Sequence, residues 1–362
     1  MTTVNEPVKE PLDEPVAARA MPGLLRPTVV RHTALALLAL LGLYVLIGAL
    51  GPYRDLQLAQ TAYLVCAAAG LTVLTGLSGQ ISLGQGAFMA VGAYTAALLI
   101  NHLHWPLALV LLASVVVTAA LGVIVGAAAA RLRGPYLAGA TLALAVGLPS
   151  LTDYHRLTGL LGGQNGLSVT TSPPPEALGE TFPLERWQAW IACLCAVITL
   201  WLLANLTHGG FGRQLRAVRD DEVAAALSGI RVARVQILAF VVAAACAGLG
   251  GGLLAFVTSL AAPGAFGLTL SLQLVTAVIL GGLGSLPGAV WGSLLLVLMP
   301  SWAADLGGAA HLSHDVASNL PLAIYGLVLI IVMIAFPGGI QEAIRRFLVL
   351  PASRRLRRGT GS

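Results

Sequence analysis

The chain has 362 residues, 57% of them apolar and only 10% charged, with a formal net charge of +5. Soluble domains carry about 25% charged residues, so this balance excludes a water-soluble enzyme or binding module. It describes an all-α polytopic membrane protein of about 8–10 transmembrane helices with Gly-rich broken or re-entrant segments, each helix satisfying its own backbone where lipid offers no partners.

Residues 1–32 hold five prolines and scattered charges without an apolar core, the composition of a disordered cytoplasmic tail. No cleavable signal peptide precedes the first span, which is expected to stay as an anchor. Apolar runs then follow at 33–50, 56–76, 80–100, 106–130, 134–152, 187–206, 236–258, 269–283, 287–300 and 319–336. Several approach or exceed the ~20 residues that cross the hydrocarbon core. Residues 33–342 thus read as one transmembrane domain with loops at 153–186 and 207–235, followed by a basic tail over 343–362.

The sidedness comes from arginine. The chain has one lysine, Lys9, and 19 arginines, and 17 of these 20 residues fall at 9–31, 131–133, 213–234 and 345–358. The positive-inside rule puts those four clusters and both termini in the cytoplasm. The loop 153–186 then lies outside. Because the clusters flank spans, no nucleic-acid partner is needed to explain them. An even number of crossings between 236 and 336 requires the run 269–300 to count as two segments, broken at Gly281-Gly282-Leu283-Gly284-Ser285-Leu286-Pro287-Gly288.

Chemistry is sparse. Cys66, Cys193, Cys195 and Cys246 lie in apolar runs and read as small hydrophobes. His102, His104, His311 and His314 fall in short outer loops, and no metal site is expected. A phosphate-binding loop needs Gly-Lys-Ser/Thr, and the single lysine is in the tail. The chain therefore needs no cofactor of its own, and any ATP is bound by another polypeptide. No Asp, Glu, Lys or Arg sits in the middle of a span, which argues against a proton relay.

Two glycine-rich zones interrupt the apolar runs. One is Gly76-Leu77-Ser78-Gly79-Gln80-Ile81-Ser82-Leu83-Gly84-Gln85-Gly86; the other is Gly281–Gly288. Interruptions at matching depth in two halves point to a solute path, and glycine also serves close helix packing. The two readings are compatible. Gly79, Gln80, Ser82 and Gln85 in the first zone, with Gly282, Gly284 and Ser285 in the second, are the candidate path residues.

One charged island, His208 to Arg231, separates the runs 187–206 and 236–258. Asp220 and Asp221 precede a helix-forming stretch, Glu222 to Ser228, and acids there cap free amides and complement the helix dipole. Gly229 fits a C-terminal stop. Val223, Ala226 and Leu227 give the short helix an apolar surface. Such a helix suits a groove on a partner protein, or equally a lipid surface with arginines on anionic headgroups.

Over about residues 56–342 the chain resembles the integral-membrane permeases of branched-chain amino acid ABC transporters, LivM type. The resemblance rests on 76–88 (Gly76 to Phe88), Gly92-Ala93-Tyr94-Thr95-Ala96, Arg133-Gly134-Pro135-Tyr136, Gly162-Gly163-Gln164-Asn165-Gly166-Leu167, Phe211-Gly212-Arg213, Arg219-Asp220-Asp221-Glu222 with Ala224-Ala225, Gly281–Gly288 and Ile324-Tyr325-Gly326. Leu160 and Leu161 interrupt the family's usual Thr-Gly-Gly run after Thr158. The resemblance implies that the island is a coupling helix docked on ATPase subunits, built on Arg219, Asp220, Asp221, Glu222, Val223, Ala224, Ala225 and Gly229. ABC importers generally carry Glu-Ala-Ala-x-x-x-Gly there. Here Val223 stands in the leading position, and Glu222 lies one residue earlier.

It further implies a second permease subunit, two ATP-binding subunits and a periplasmic solute-binding protein as partners, in a bacterial inner membrane. The substrates implied are leucine, isoleucine and valine; relatives with similar motifs import urea, short amides or other small solutes. The rival class is a stand-alone channel or secondary transporter, which leaves the island without a purpose.

Overall fold

In the computed structural model, the described residues are 27–309 apart from 133, 171–172, 176–178 and 180–181, together with 326–327, 330–331, 334 and 338–346. The tail residues 1–26, most of the expected span 319–336 and residues 347–362 lie outside them.

Over residues 27–309 twelve α-helices run in the order α1 (Pro27–Ala49), α2 (Pro52–Leu71), α3 (Gln85–Leu103), α4 (Leu107–Ala129), α5 (Pro135–Ser150), α6 (His155–Leu161), α7 (Leu184–His208), α8 (Gly210–Asp220), α9 (Glu222–Leu227), α10 (Val232–Thr258), α11 (Leu268–Gly281) and α12 (Leu286–Ala309), and residues 339–346 are helical as well. α2 continues without a break into a π-helical turn, Thr72–Leu77. Seven helical segments are long and apolar enough to cross a membrane, and 136–150 and 286–302 form shorter apolar helices. The all-α polytopic expectation is met.

α2 and α10 form the centre. α10 packs along α2, α3 and α4, while α2 also touches α7, α11 and α12. In the spanning window of α2 and its π-helical turn, 83% of residues are buried, against 11% for peripheral α1. Lipid tails are as apolar as leucine, so helices associate here through close approach rather than through exclusion of water. Small residues permit it. A Cβ on Gly92 of α3 would collide with the Gly248 backbone of α10, and one on Gly248 would collide with the Thr118 hydroxyl of α4. Ser114 Oγ on α4 donates to the Gly92 carbonyl at 3.0 Å, closing the three-helix contact.

The contacts also sort the helix ends. His32 at the start of α1 meets His208 at the end of α7, with ring centroids 4.8 Å apart. Ile237 and Phe240 near the start of α10 face Gly126 near the end of α4. Arg31, Arg131, Arg216 and Arg219 therefore share one end of the bundle, called the basic end below. At the other end Arg186, at the start of α7, pairs with Asp55 at 3.5 Å and donates to the Leu50 carbonyl at 3.4 Å. The loop there carries strand β1 (Leu167–Ser168), antiparallel to β2 (Leu260–Ala261), with Leu167 opposite Ala261.

Several boundaries differ from expectation. α1 begins at Pro27, so 27–32 are helical rather than part of a tail. Proline is at home in a first turn, where its missing N–H has no intrahelical use. The third span starts at Gln85 rather than Gln80, because 79–84 run outside any helix. α12 continues nine residues past the expected 300. Asp55, left outside the second span, is fully buried in the first turn of α2. α5 has 16 residues, a rise of ~24 Å, short of a ~30 Å hydrocarbon core. The break expected within 269–300 is present, since α11 ends at Gly281 and α12 starts at Leu286.

The Gly92–Gly248 approach makes a prediction. Gly92→Ala overpacks the α3–α10 contact and lowers stability by about 1–3 kcal/mol, measured as a fall in the thermal midpoint of the detergent-purified protein. An unchanged midpoint would mean that α3 and α10 are farther apart.

Candidate functional site

The island and the two glycine-rich breaks meet at the basic end. The island is two helices. α8 buries Gly212, Leu215 and Val218, spaced three apart along one face, and exposes Arg213, Arg216 and Arg219. It ends at Asp220, and Asp221 then leaves helical geometry at φ −158° and ψ 111°. Asp221 is the N-cap of α9: its Oδ1 accepts from Val223 N at 2.8 Å and Ala224 N at 3.0 Å. Asp220, expected beside it as a starting acid, instead closes α8 and lies 3.4 Å from Arg219 Nε. α9 spans Glu222–Leu227, one residue short of the expected end at Ser228. Gly229, at φ +83°, stops it, and the next amide, Ile230 N, bonds back to Ala225 O at 3.0 Å.

α9 presents one face inward and one outward. Ala225 is buried, whereas Val223 is 69% and Leu227 86% exposed; Ala224 and Ala226 are exposed beside them. Glu222 is engaged within the chain, its Oε1 accepting from Gln236 Nε2 of α10 at 2.9 Å. That bond ties α9 to the start of a central helix.

Arg219 points the other way. Its Nη1 donates to the Gly76 carbonyl at 2.8 Å, and its stem covers Gly79, where a Cβ would lie 2.7 Å from Arg219 Cγ. Gly76 belongs to the π-helical turn that ends α2. π-Helical turns are rare and cluster at functional sites. Gly76 also abuts the second break: a Cβ there would collide with Gly284 N. One residue of the first break thus touches both the island and the second break.

The other candidate path residues fall into two groups. Gly284 and Ser285 line a cavity of about 720 Å³ at the basic end, and Gly282, at φ +115°, lies against Gly338 and Gly339. Gln80, Ser82 and Gln85 are packed inside the protein instead. Gln85 Nε2 donates to Ala67 O of α2 at 2.9 Å and to Ala243 O of α10 at 3.3 Å, so it joins α3 to both central helices. Ser82 Oγ accepts from Gly84 N at 3.3 Å, and Leu83 N donates to Thr141 Oγ1 of α5 at 3.0 Å. The amide oxygens of Gln80 and Gln85 are buried without a donor among the described residues. A second cavity, about 380 Å³, sits toward the end opposite the basic end, between α2, α10, α11 and α12. Its wall is mainly aliphatic (Leu64, Leu254, Leu270) with Tyr63, Thr258 and Gln273 as polar points.

The reach of Arg219 to Gly76, 143 residues away in sequence, was invisible in the sequence, as was the partner of Asp55. α8 had a readable signal, the apolar spacing Gly212, Leu215, Val218, hidden by the arginines between. Among the described residues no group of three or more His, Cys, Asp and Glu side chains could hold a metal.

Arg219→Met keeps the stem over Gly79 and deletes the guanidinium. The lost bond is charge-assisted but half exposed, so the expected destabilisation is about 1–2 kcal/mol. Thermal unfolding reads it, and hydrogen exchange should rise in a peptide covering 72–80. Protection equal to wild type there would show that Arg219 does not hold the turn.

The family model described as branched-chain amino acid transport system / permease component matches residues 55–336. The high-affinity branched-chain amino acid transport system permease protein LivM of Salmonella typhimurium is 30% identical over 311 residues, covering 78% of this chain and 68% of that protein. LivM of Escherichia coli is 30% identical over 304 residues with the same coverage. LivH of Salmonella typhimurium is 28% identical over 288 residues, covering 75% of this chain and 89% of that protein. No solved structure gives a significant match.

Proposed function

The chain belongs to the family of permease components of branched-chain amino acid transport systems, and from that premise we propose how this multi-pass subunit of an ABC importer takes up its driving force. Two ATP-binding subunits hold the nucleotide, and this chain binds none. One of them grips α9 on the exposed face made by Val223, Ala226 and Leu227. Movement of α9 passes through α8 to Arg219, and from Arg219 to the π-helical turn at Gly76. Because Gly76 also abuts Gly284, one displacement reaches both breaks together.

The observation that carries this reading is the Arg219–Gly76 hydrogen bond, which joins the exposed island to the interrupted end of central α2. Two further facts support it. A segment containing a π-helical turn and two buried amide oxygens without donors changes conformation at less cost than a saturated helix. The acid of this coupling region, Glu222, is held by Gln236 in α10, which leaves the apolar residues of α9 as the docking contact.

The arginine distribution, read by the positive-inside rule, supports a bacterial inner membrane with the basic end and both termini in the cytoplasm. A second permease subunit completes the path. The likeness of the chain to both LivM and LivH relatives supports a heterodimer of related chains. Gly79, Gln80, Ser82, Gln85, Gly282, Gly284 and Ser285 form the movable boundary of that path at the basic end. A periplasmic solute-binding protein delivers the substrate to the outer surface around the β1–β2 ladder. Membrane lipid surrounds the rest, and no nucleic acid takes part. Branched-chain amino acids suit the aliphatic wall of the outer cavity, with Thr258 and Gln273 as polar points.

Leu227→Asp tests the docking. It puts a charge into an apolar contact without touching an internal bond, so the thermal midpoint of the chain stays put. Co-purification of the ATP-binding subunits and ATP-driven uptake both fall at least about tenfold, the scale of a hot-spot loss. Retention of both would sink the docking role of α9. Substrate is tested on the cognate binding protein, whose thermal midpoint should rise with leucine, isoleucine or valine and stay unchanged with urea. The opposite pattern would reassign the cargo.

A further inference from the structure

The cavity of about 720 Å³ lies between α1, α7, α8 and the start of α12. Among the described residues three arginines line it, Arg31 from α1, Arg216 from α8 and Arg345 from the C-terminal helical residues, and no carboxylate does. None of the three takes part in an ion pair among the described residues. α12 begins at the same mouth, so the positive end of its dipole adds to theirs.

Away from the mouth the lining turns apolar. On α1 it passes from Arg31 to Leu35 and Ala39; on α7 it passes from His208 to Leu200 and Val197. Eight to eleven residues of helix correspond to ~12–16 Å, close to half of a ~30 Å hydrocarbon core. The hollow is therefore about one leaflet deep, cationic at the surface and aliphatic beneath. It is also a pinned structure. Trp201 Nε1 of α7 donates to Thr33 Oγ1 of α1 at 3.1 Å, and His32 Nδ1 lies 2.9 Å from Asn205 Oδ1. α1, the outer wall, is the least buried of the candidate spans and so borders the bilayer.

We infer that this cavity holds one anionic phospholipid from the leaflet at the basic end. Its phosphate sits among Arg31, Arg216 and Arg345, and an acyl chain lies along Leu35, Ala39 and Leu200. Complementary charge and depth select a lipid over a soluble anion, since a free phosphate leaves the aliphatic part unfilled. The consequence for the importer follows from Arg216, which shares α8 with Arg219. A bound headgroup anchors to the membrane the same helix that reaches Gly76. Only that consequence, and the assignment of the leaflet to the cytoplasmic side, rest on the function proposed above.

The full chain, purified with the subunits that accompany it, is placed in nanodiscs of phosphatidylcholine alone or mixed with phosphatidylglycerol. It is then re-extracted, and retained lipid is counted by native mass spectrometry. Wild type is expected to keep phosphatidylglycerol in preference to phosphatidylcholine. Arg31→Gln, Arg216→Gln and Arg345→Gln each lower that retention about fivefold. Ala39→Phe fills the apolar part and lowers it with all three charges intact. Arg131→Gln, the same charge loss away from the cavity, leaves it unchanged, and added inorganic phosphate does not displace the lipid. Equal retention of the two lipids, equal loss in Arg131→Gln, or displacement by inorganic phosphate would overturn the lipid site. So would wild-type retention in the three arginine variants combined. Co-purification of the ATP-binding subunits, measured on the same preparations, reports separately on docking at α9.

Discussion

A helix that stops inside a membrane protein must hand its last carbonyls to a partner, because lipid offers none. α2 stops in this way at the π-helical turn, and Arg219 supplies the partner for the Gly76 carbonyl. The rest of the basic end is arranged around that solution. The donor comes from a helix outside the apolar bundle, so the broken helix and the charged island become one mechanical unit. Gly76 has no side chain to keep the second break away, so Gly284 joins them. A leucine or valine at Gly76 would separate all three elements.

The bundle behind this junction uses the same economy of side chains. α10 approaches α2, α3 and α4 through alanine and glycine, and polar side chains mostly answer to nearby backbone carbonyls. Gln85 on Ala67 and Ala243, Gln188 on Phe256 and Ser114 on Gly92 each tie one helix to the backbone of another. The end opposite the basic one is held by a buried carboxylate, Asp55, and a cation, Arg186. The two ends thus differ in kind. One is stapled by an internal ion pair, while at the other Arg219 joins the island to the end of α2 and neutral hydrogen bonds such as Trp201–Thr33 tie the remaining helices.

Much of this was legible in the sequence where the cause is local. Apolar run length gave the helices, the glycines and Pro287 gave the interruption after Gly281, and Asp221 and Gly229 marked the start and stop of α9. The misreadings have physical reasons. Nothing in the composition of 80–84 separates it from the first turn of a helix: Gln80-Ile81-Ser82-Leu83-Gly84 mixes polar, apolar and glycine residues much as Gln85-Gly86-Ala87-Phe88 does, and the partner that holds the Leu83 amide, Thr141, is distant in sequence. Asp220 and Asp221 look equivalent as starting acids until α8 is known to use the first as its last residue. The cavity behind α1 needs residues 31, 216 and 345 to be neighbours, and no local pattern encodes that.

Leu227 has a cost that precedes any transport cycle. A leucine with 86% of its surface in water, on a helix flanked by exposed Val223 and Ala226, resembles the unfolded segments that cellular proteases and chaperones recognise. Under the docking proposed above, a copy synthesised without its companions would carry that marker openly, and a copy in a finished assembly would hide it.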